Sequence, residues 1–501
     1  MRTKKSIFNF IADVLPFFVI GIISFIRVRF IIKYYGTDAN GYMQLITQIF
    51  SYLALAEAGF GTAVVYKLYK PLASGDRKKI SSIVNGSKII FKRIATIMTI
   101  GSVICAIAIP FFVNKGVLTN GFLILVFAFY SINYLIEYFV VYPYTSLLQA
   151  DQNQYVFTTY RNIAKIVFGL FELLFMCMRL NLILIVFTNI IFTLIYVYIL
   201  LKKIKKMYPW LDKNEKADIS AFEMTKDVIV HKLSSLVFSK TDPIILSKYS
   251  LEYVTLYTSY NYILDFITSI ISKIFNALKS SYCNIVALEK EEDKKYFNMF
   301  LSFSLFVGCF CASVFDVIVN SFIQNIWLGK EYYLSKSIVH LFSIIMFGRI
   351  IINPIYIARD SKGLYKETKS FTVVQAVVNI ILSLILVRKY SIFGVLFATV
   401  FSQYVILIPS NVRIVYSKVF KSDINIFLKK MFMTIINIAM IFMVNLQLEN
   451  VIVLNTAVDT LIYMIVFSII NGAICFINYY LFDKDFKALI KEMIAKIRRK
   501  K

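Results

Sequence analysis

The chain has 501 residues, of which 59% are hydrophobic, 16% are aromatic and only 17% are charged. A soluble globular chain is about half apolar and about a quarter charged, so this composition excludes a soluble protein and indicates a polytopic membrane protein. In a soluble protein, the net charge of +26 would suggest nucleic-acid binding. Here the basic residues lie in short loops between apolar runs, which is the positive-inside pattern, and no nucleic-acid partner is expected.

Apolar runs long enough to cross a bilayer as helices recur along the whole chain. Fourteen spans are predicted, at residues 7–35, 43–65, 89–113, 122–148, 155–178, 182–201, 227–248, 253–274, 299–322, 337–358, 371–387, 392–415, 431–446 and 455–482. Lys and Arg concentrate in alternate loops, which predicts that both termini are cytoplasmic. The first run lacks a small-residue cleavage site and is too long for a signal peptide, so we expect it to be retained.

The opening hairpin carries charges that need a physical reason. Arg27 and Arg29 lie in the first span, and a tight turn is predicted at residues 36–42 before the second span. Charged side chains within a bilayer usually face a cavity or a partner, which makes both arginines candidates for binding an anionic substrate. Because they point about 200° apart on a helix, they cannot share one narrow face. The alternative is that both snorkel to the outer interface.

The seventh span is less apolar than its neighbours and contains a proline. Lys240 and Asp242 come just before Pro243. Proline removes a backbone hydrogen bond and kinks or breaks a helix, so Pro243 is a hinge candidate. Broken helices often mark transport sites, which makes Lys240 a substrate-binding candidate and Asp242 an ion-coupling candidate. The alternative is a structural Lys–Asp pair near the outer surface.

Further charges lie within the other spans. Arg349 is near the middle of the tenth span, where snorkelling is hardest, so a functional or paired role is predicted. Asp265, in the eighth span, is predicted to pair with Lys240 or to take up a coupling proton. Asp316, in the ninth span, is another ion-coupling candidate. Three more carboxylates are candidates for coupling to protons or sodium or for pairing with buried lysines: Glu137, Glu172 and Asp459.

The cysteines and the outer loops exclude other classes of chemistry. The six cysteines form no CxxC motif and no His cluster accompanies them, so neither a metal site nor a redox cofactor is predicted. The outer connections are all short, which leaves no room for a folded catalytic domain. A membrane polysaccharide polymerase is therefore a weaker interpretation than a transporter, and we do not expect an enzyme.

Four short stretches carry a family resemblance. They are residues 33–42 (KYYGTDANGY), 57–63 (EAGFGTA), 239–246 (SKTDPIIL) and 394–399 (GVLFAT). Together they resemble the bacterial oligosaccharide (polysaccharide repeat-unit) flippase family, part of the multidrug/oligosaccharidyl-lipid/polysaccharide exporter superfamily. The first stretch departs from the family at Tyr35, where leucine is usual.

The resemblance implies two six-helix lobes around a central cavity, followed by two further helices. On that pattern the N-lobe covers residues 1–201, a cytoplasmic linker 202–226, the C-lobe 227–416, and the last two spans with a basic tail 417–501. Members of the family move undecaprenyl-pyrophosphate-linked oligosaccharides from the cytoplasmic to the outer leaflet for surface polysaccharide biosynthesis. The implied setting is a bacterial cell membrane, with H⁺ or Na⁺ as coupling ion and the polysaccharide assembly machinery as partner.

The cations within the spans favour an anionic cargo. Arginine can hold phosphate oxygens with two parallel hydrogen bonds, so a cavity containing such side chains would lower the cost of moving a pyrophosphate head through hydrocarbon. The predicted cavity cations are Arg27, Arg29, Lys240 and Arg349. A multidrug/cation antiporter of the same fold should instead have an acidic or aromatic cavity, and lipid II is the alternative cargo. The last two spans form either a groove for the lipid tail or a peripheral helical pair. The tail from residue 484 is basic and is expected to lie along anionic headgroups.

Overall fold

The computed structural model describes residues 2–57, 59–220, 240–287, 293–449 and 456–498. Every regular element in these ranges is a helix, and no strand occurs in them. The chain divides into two compact units, Met1–Thr255 and Leu256–Lys501. The prediction of an all-α polytopic membrane protein is confirmed. The predicted division into lobes and linker stays a prediction.

The helices of the first unit follow one another through short connections. In chain order they are α1 (Arg2–Tyr35), α2 (Thr37–Leu53), α3 (Phe60–Ser74), α4 (Arg77–Phe112), α5 (Asn120–Ile136), α6 (Tyr142–Ala150), α7 (Gln154–Cys177) and α8 (Leu182–Met207). A 3₁₀ turn at Ala54–Glu57 follows α2, and a π turn at Glu137–Val141 joins α5 to α6. Residues 240–247 are also helical.

The opening hairpin differs from the prediction in two places. The turn predicted at residues 36–42 is reduced to Gly36, and α2 already begins at Thr37. Gly36 has φ 91°, a conformation open to glycine but costly for other residues, which explains how one residue can reverse the chain. The second predicted span, 43–65, is not one helix, because the 3₁₀ turn and the left-handed Gly59 interrupt it.

Aromatic side chains fill the core of the first unit. Phe50 stacks on Phe127 and Tyr134, with ring centroids 5.5 Å and 4.5 Å away. A second cluster is centred on Phe91, which meets Phe60 edge to face at 5.4 Å. Each such pair contributes about 0.5–1.5 kcal/mol beyond the burial of its area. These contacts join α2 to α5 and α3 to α4, and α2 and α5 are among the helices that line the site described below.

A non-helical segment after α8 lies against α4. The side-chain amide of Asn85 donates hydrogen bonds to the carbonyls of Asp212 and Glu215 at 2.9 Å and 3.0 Å. Lys79 Nζ binds Asp218 Oδ2 at 2.9 Å. Hydrogen bonds from Ser220 and from Lys79 hold the pKa of the Asp218 carboxyl well below its usual value. The first part of the predicted linker is therefore attached to the first unit.

The second unit contains longer helices. In chain order they are α9 (Leu251–Ala287, whose first turn belongs to the first unit), α10 (Asp293–Phe322), α11 (Lys336–Ser361), α12 (Tyr365–Phe401), α13 (Ile408–Ile414), α14 (Asn425–Glu449), α15 (Ala457–Phe482) and α16 (Lys484–Arg498). Three π turns follow α10, α12 and α13, at Ile323–Trp327, Ser402–Leu407 and Val415–Val419.

Nine helices in the described ranges are long and apolar enough to cross a membrane. One of them, Lys366–Val419, covers two predicted spans, and Ser391, with φ 46°, breaks its helical backbone between them. The remaining four predicted spans fall on the broken α2–α3 pair, on α7, on α9 and on residues 227–248. Most of the last range lies outside the described residues.

A charged cavity as the candidate functional site

A cavity of about 330 Å³ lies within the first unit. Side chains of α1, α2, α5, α7, α8 and the π turn line it. Its charged lining residues are Arg27, Glu137, Arg161, Lys165 and Glu172. Three cations and two carboxylates give the described lining a formal charge of +1. Water-accessible space lined by charge inside an apolar helical bundle is expensive and points to a function.

Arg27 is held in the cavity by two partners. Its Nε donates to Glu172 Oε1 at 2.8 Å, and one terminal amino group donates to the hydroxyl of Tyr130 at 2.8 Å. The side chains of Arg27 and Glu172 are only 22% and 5% exposed. Gly169 allows this geometry, because a Cβ there would lie 2.7 Å from a methyl group of Ile23 on α1. The close approach of α1 and α7 therefore depends on a glycine.

Arg161 makes the second ion pair of the cavity. Its Nε and a terminal amino group donate to the two oxygens of Glu137, at 3.2 Å and 2.9 Å. Tyr196 also donates to Glu137. Glu137 begins the π turn, a local widening of a helix that occurs frequently at functional sites. This bidentate geometry fixes the guanidinium plane and leaves Arg161 little freedom.

Lys165 is the surplus cation. It lies one helical turn after Arg161 on α7 and lines the same cavity. Among the described residues it makes no hydrogen bond and no ion pair. An ammonium group has three donors, so Lys165 keeps its donors for a molecule that enters the cavity. The arrangement suits an anionic group that meets one available cation beside two immobilised ones.

The structure brings one predicted cation of the first unit to this cavity and leaves another outside it. Arg27 lines the cavity, whereas Arg29 is exposed, as their different directions on α1 require. Asp242 and Pro243 are buried in the helical residues 240–247, and Lys240 is half-buried. These three do not belong to the described lining of the cavity. Their predicted roles in substrate binding, ion coupling and bending stay predictions.

The predicted residues of the second unit form local pairs. Arg349 donates to Asp265 Oδ1 at 2.6 Å, so Asp265 has an arginine partner on α11. Asp316 lies 2.8 Å from His340 Nδ1 and accepts a hydrogen bond from Ser343 at 2.8 Å. The roles of these residues in transport stay predictions.

The three additional carboxylates have different positions. Glu137 and Glu172 pair with arginines in the cavity, as described above. Asp459 instead closes the N-terminal capping box of α15 with Thr456, and its role in coupling stays a prediction.

Sequence reasoning missed four cavity residues, namely Tyr130, Arg161, Lys165 and Tyr196. A signal for two of them was present. Arg161, Lys165 and Glu172 are spaced by four and seven residues, which puts all three on one face of an otherwise apolar helix. The two tyrosines carry no such signal, because tyrosine is abundant throughout the chain.

Comparisons with known proteins agree on the fold. No family model and no curated protein sequence matches the chain. The solved structure of a lipid II flippase, MurJ, in an inward closed conformation has a TM-score of 0.68 at 15% identity, over 95% of this chain and 99% of that chain. An inward-facing MATE family transporter of the MOP superfamily has a TM-score of 0.56 at 10% identity, over 84% of this chain and 99% of that chain. The Vibrio cholerae MATE transporter VcmN gives 0.53 at 13% identity, over 85% and 99%. The chain thus has the fold that these solved flippase and transporter structures share.

Proposed function

We propose that the protein is a flippase for undecaprenyl-pyrophosphate-linked oligosaccharide repeat units. It moves them from the cytoplasmic to the outer leaflet of a bacterial cell membrane, by alternating access, for surface polysaccharide biosynthesis. Both termini are cytoplasmic in this proposal. The fold shared with a lipid II flippase supports a lipid-linked cargo, and the resemblance of the four sequence stretches supports an oligosaccharide head.

The observation that carries the proposal is the available Lys165 in a cavity of net positive charge. A pyrophosphate group loses much hydration free energy when it leaves water, and preorganised cations offset that cost. Glu172 and Glu137 hold Arg27 and Arg161 in place without a substrate. The empty transporter therefore does not bury several repelling cations, and one ammonium group remains to engage the incoming head.

Two other cargoes fit the same fold. Lipid II also has an anionic, lipid-linked head, and the likeness to MurJ favours it specifically. A cationic drug is the cargo expected of a MATE-type antiporter, but the net positive lining of the cavity opposes it.

The decisive experiment is a flipping assay in proteoliposomes. The cargo is undecaprenyl-pyrophosphate-linked oligosaccharide with a nitrobenzoxadiazole dye on its sugar. Membrane-impermeant dithionite quenches only dye in the outer leaflet, so it reports the rate at which dye moves there from the inner leaflet. The purified chain should accelerate this rate, and Lys165→Gln should lower it by about tenfold or more, since one charge-assisted hydrogen bond is removed.

Lys78→Gln is the matched control, because Lys78 is an exposed lysine at the start of α4 outside the cavity. It should flip at the rate of the unaltered chain. Equal rates with and without protein would overturn the proposed function, and faster flipping of dye-labelled lipid II than of the oligosaccharide lipid would change the cargo.

A further inference from the structure

The C-terminal helix α16 begins where a membrane span ends. α15 is one of the helices apolar enough to cross a bilayer and ends at Phe482. Asp483 is the only residue between it and α16, which begins at Lys484. The first turn of α16 must therefore lie close to the membrane surface, because no linker separates it from the span.

A buried ion cluster fixes the start of α16. Asp483 Oδ1 accepts hydrogen bonds from the backbone N–H groups of Asp485 and Phe486, at 2.9 Å and 3.1 Å, which caps the helix. Lys430 of α14 binds both oxygens of Asp483 at 2.8 Å and also contacts Asp485 at 2.9 Å. The buried Phe486 ring packs against Phe306 of α10, with centroids 4.9 Å apart. The helix is docked and not a loose tail.

Charges of opposite sign occupy different faces of α16. Asp485 and Glu492 are seven residues apart and so share one face. This acidic face points to the protein, because Asp485 contacts Lys430 and Glu492 lies 3.2 Å from Lys295 of α10. The acidic side chains are therefore used in docking the helix.

The lysines form a separate stripe. Lys484, Lys487 and Lys491 have the spacing i, i+3 and i+7, which aligns them on a face about 100° from the acidic one. Lys484 and Lys491 are exposed, while Lys487 lies over the ring of Tyr480 at 5.3 Å, at the end of α15. We define these three residues as the lysine stripe. Its charge is not neutralised by the acidic face of its own helix.

The far half of α16 exposes two apolar side chains: Ile494 lies beside the stripe, about 60° from Lys491, whereas Met493 lies on the face of Phe486. Met493 and Ile494 are 51% and 46% exposed, in contrast to the buried Phe486 in the first turn. A helix that begins one residue after a span and carries basic side chains beside an exposed apolar one has the pattern of an interfacial helix. Anionic lipid offers both of the complements that this side of α16 needs, negative headgroups for the lysines and acyl chains for Ile494.

We propose that the lysine stripe of α16 is a binding surface for the headgroups of anionic phospholipids. The helix is anchored to the protein by its acidic face and to the bilayer by its basic one. This surface is separate from the cavity of the first unit, and the inference stands whether or not the proposed cargo is correct.

The test is backbone hydrogen exchange of the full-length protein in nanodiscs. One set contains phosphatidylcholine alone, and the other contains phosphatidylcholine with one quarter phosphatidylglycerol. Amides of α16 should exchange about tenfold or more slowly in the anionic set, because three lysines act together. The triple variant Lys484→Gln, Lys487→Gln, Lys491→Gln should exchange equally fast in both sets.

A second triple variant controls for the loss of charge. Lys202, Lys203 and Lys206 are exposed at the end of α8, and changing them to glutamine removes the same charge elsewhere. This variant should keep the lipid dependence of α16. The proposal is overturned if the unaltered protein shows the same α16 exchange in both lipid sets, or if the α8 variant abolishes the difference as fully as the α16 variant does.

Discussion

Two lysines that lie within apolar helices, Lys165 in the first unit and Lys430 in the second, have opposite surroundings. The ammonium group of Lys430 is 2.7 Å from the hydroxyl of Ser302, 2.8 Å from both oxygens of Asp483 and 2.9 Å from Asp485. Its side chain is 10% exposed. Lys165 lines a water-accessible cavity and makes no ion pair among the described residues.

The difference separates a structural cation from one that can bind. An ammonium group has three donors, and the partners of Lys430 occupy all of them. A buried charge destabilises the fold unless its hydrogen-bonding groups all have partners. Lys165 is not destabilising without such partners, because the cavity that it lines is accessible to water. A ligand that displaces this water must supply negative charge in return, which is why Lys165 is assigned to the cargo and Lys430 to the fold.

The largest effect is expected from the structural lysine. Lys430→Met leaves Asp483 buried without its cation, which should lower the free energy of unfolding by about 3–5 kcal/mol. Thermal unfolding of the purified protein in detergent measures the loss. Lys429→Met removes the exposed neighbour in sequence and should change stability by less than about 0.5 kcal/mol.

A double variant tests the cause of that loss. Lys430→Met with Asp483→Asn removes the uncompensated charge and keeps an N-cap residue for α16. It should regain part of the lost stability. If the single variant were as stable as the Lys429→Met control, the distinction between the two lysines would fail.

A smaller effect is expected at Arg27, which combines both roles. Its Nε and one amino group are engaged by Glu172 and Tyr130, and the other amino group, which has no partner among the described residues, can reach a substrate. Arg27→Met should lower the free energy of unfolding by about 1–3 kcal/mol, since the Glu172 carboxylate loses its charged partner. Thermal unfolding and the dithionite assay, applied to the same preparation, measure the two roles separately.

The double variant Arg27→Met, Glu172→Met tells those roles apart. Removing both charges should restore most of the stability, because no charge is left unpaired. Flipping should nevertheless stay reduced, because the substrate has lost a cation. Recovery of flipping together with stability would show that Arg27 serves only to neutralise Glu172.

The sequence predicted these environments unevenly, for physical reasons. The length and hydropathy of the apolar runs suffice to predict the membrane-spanning helices, since bilayer thickness fixes how long such a run must be. Arg27 was identified because a charge in an apolar run is costly wherever it points. Its pairing with Glu172 was not predicted, because Glu172 is 145 residues away and only the packing of α1 on α7 brings the two side chains together. Lys165 could have been identified from its helical alignment with Arg161, but only the tertiary structure shows that it makes no ion pair within the described ranges.

The smallest effect is expected for an ion pair between a lysine and an aspartate at the surface. Lys79 and Asp218 are 2.9 Å apart, with side chains 51% and 17% exposed, so water screens their attraction. Asp218→Asn should speed the hydrogen exchange of residues 208–220 by less than about fivefold. Because the pKa of Asp218 is lowered in the folded protein, its contribution is fully present above the unfolded value of about 4 and is lost only as the pH falls below it. The exchange ratio of variant to unaltered protein should therefore be constant between about pH 5 and 8. A ratio that changed within this window would mean that another titrating group controls the exchange of residues 208–220. Surface exposure would then not explain why Lys79 contributes less to stability than Lys430.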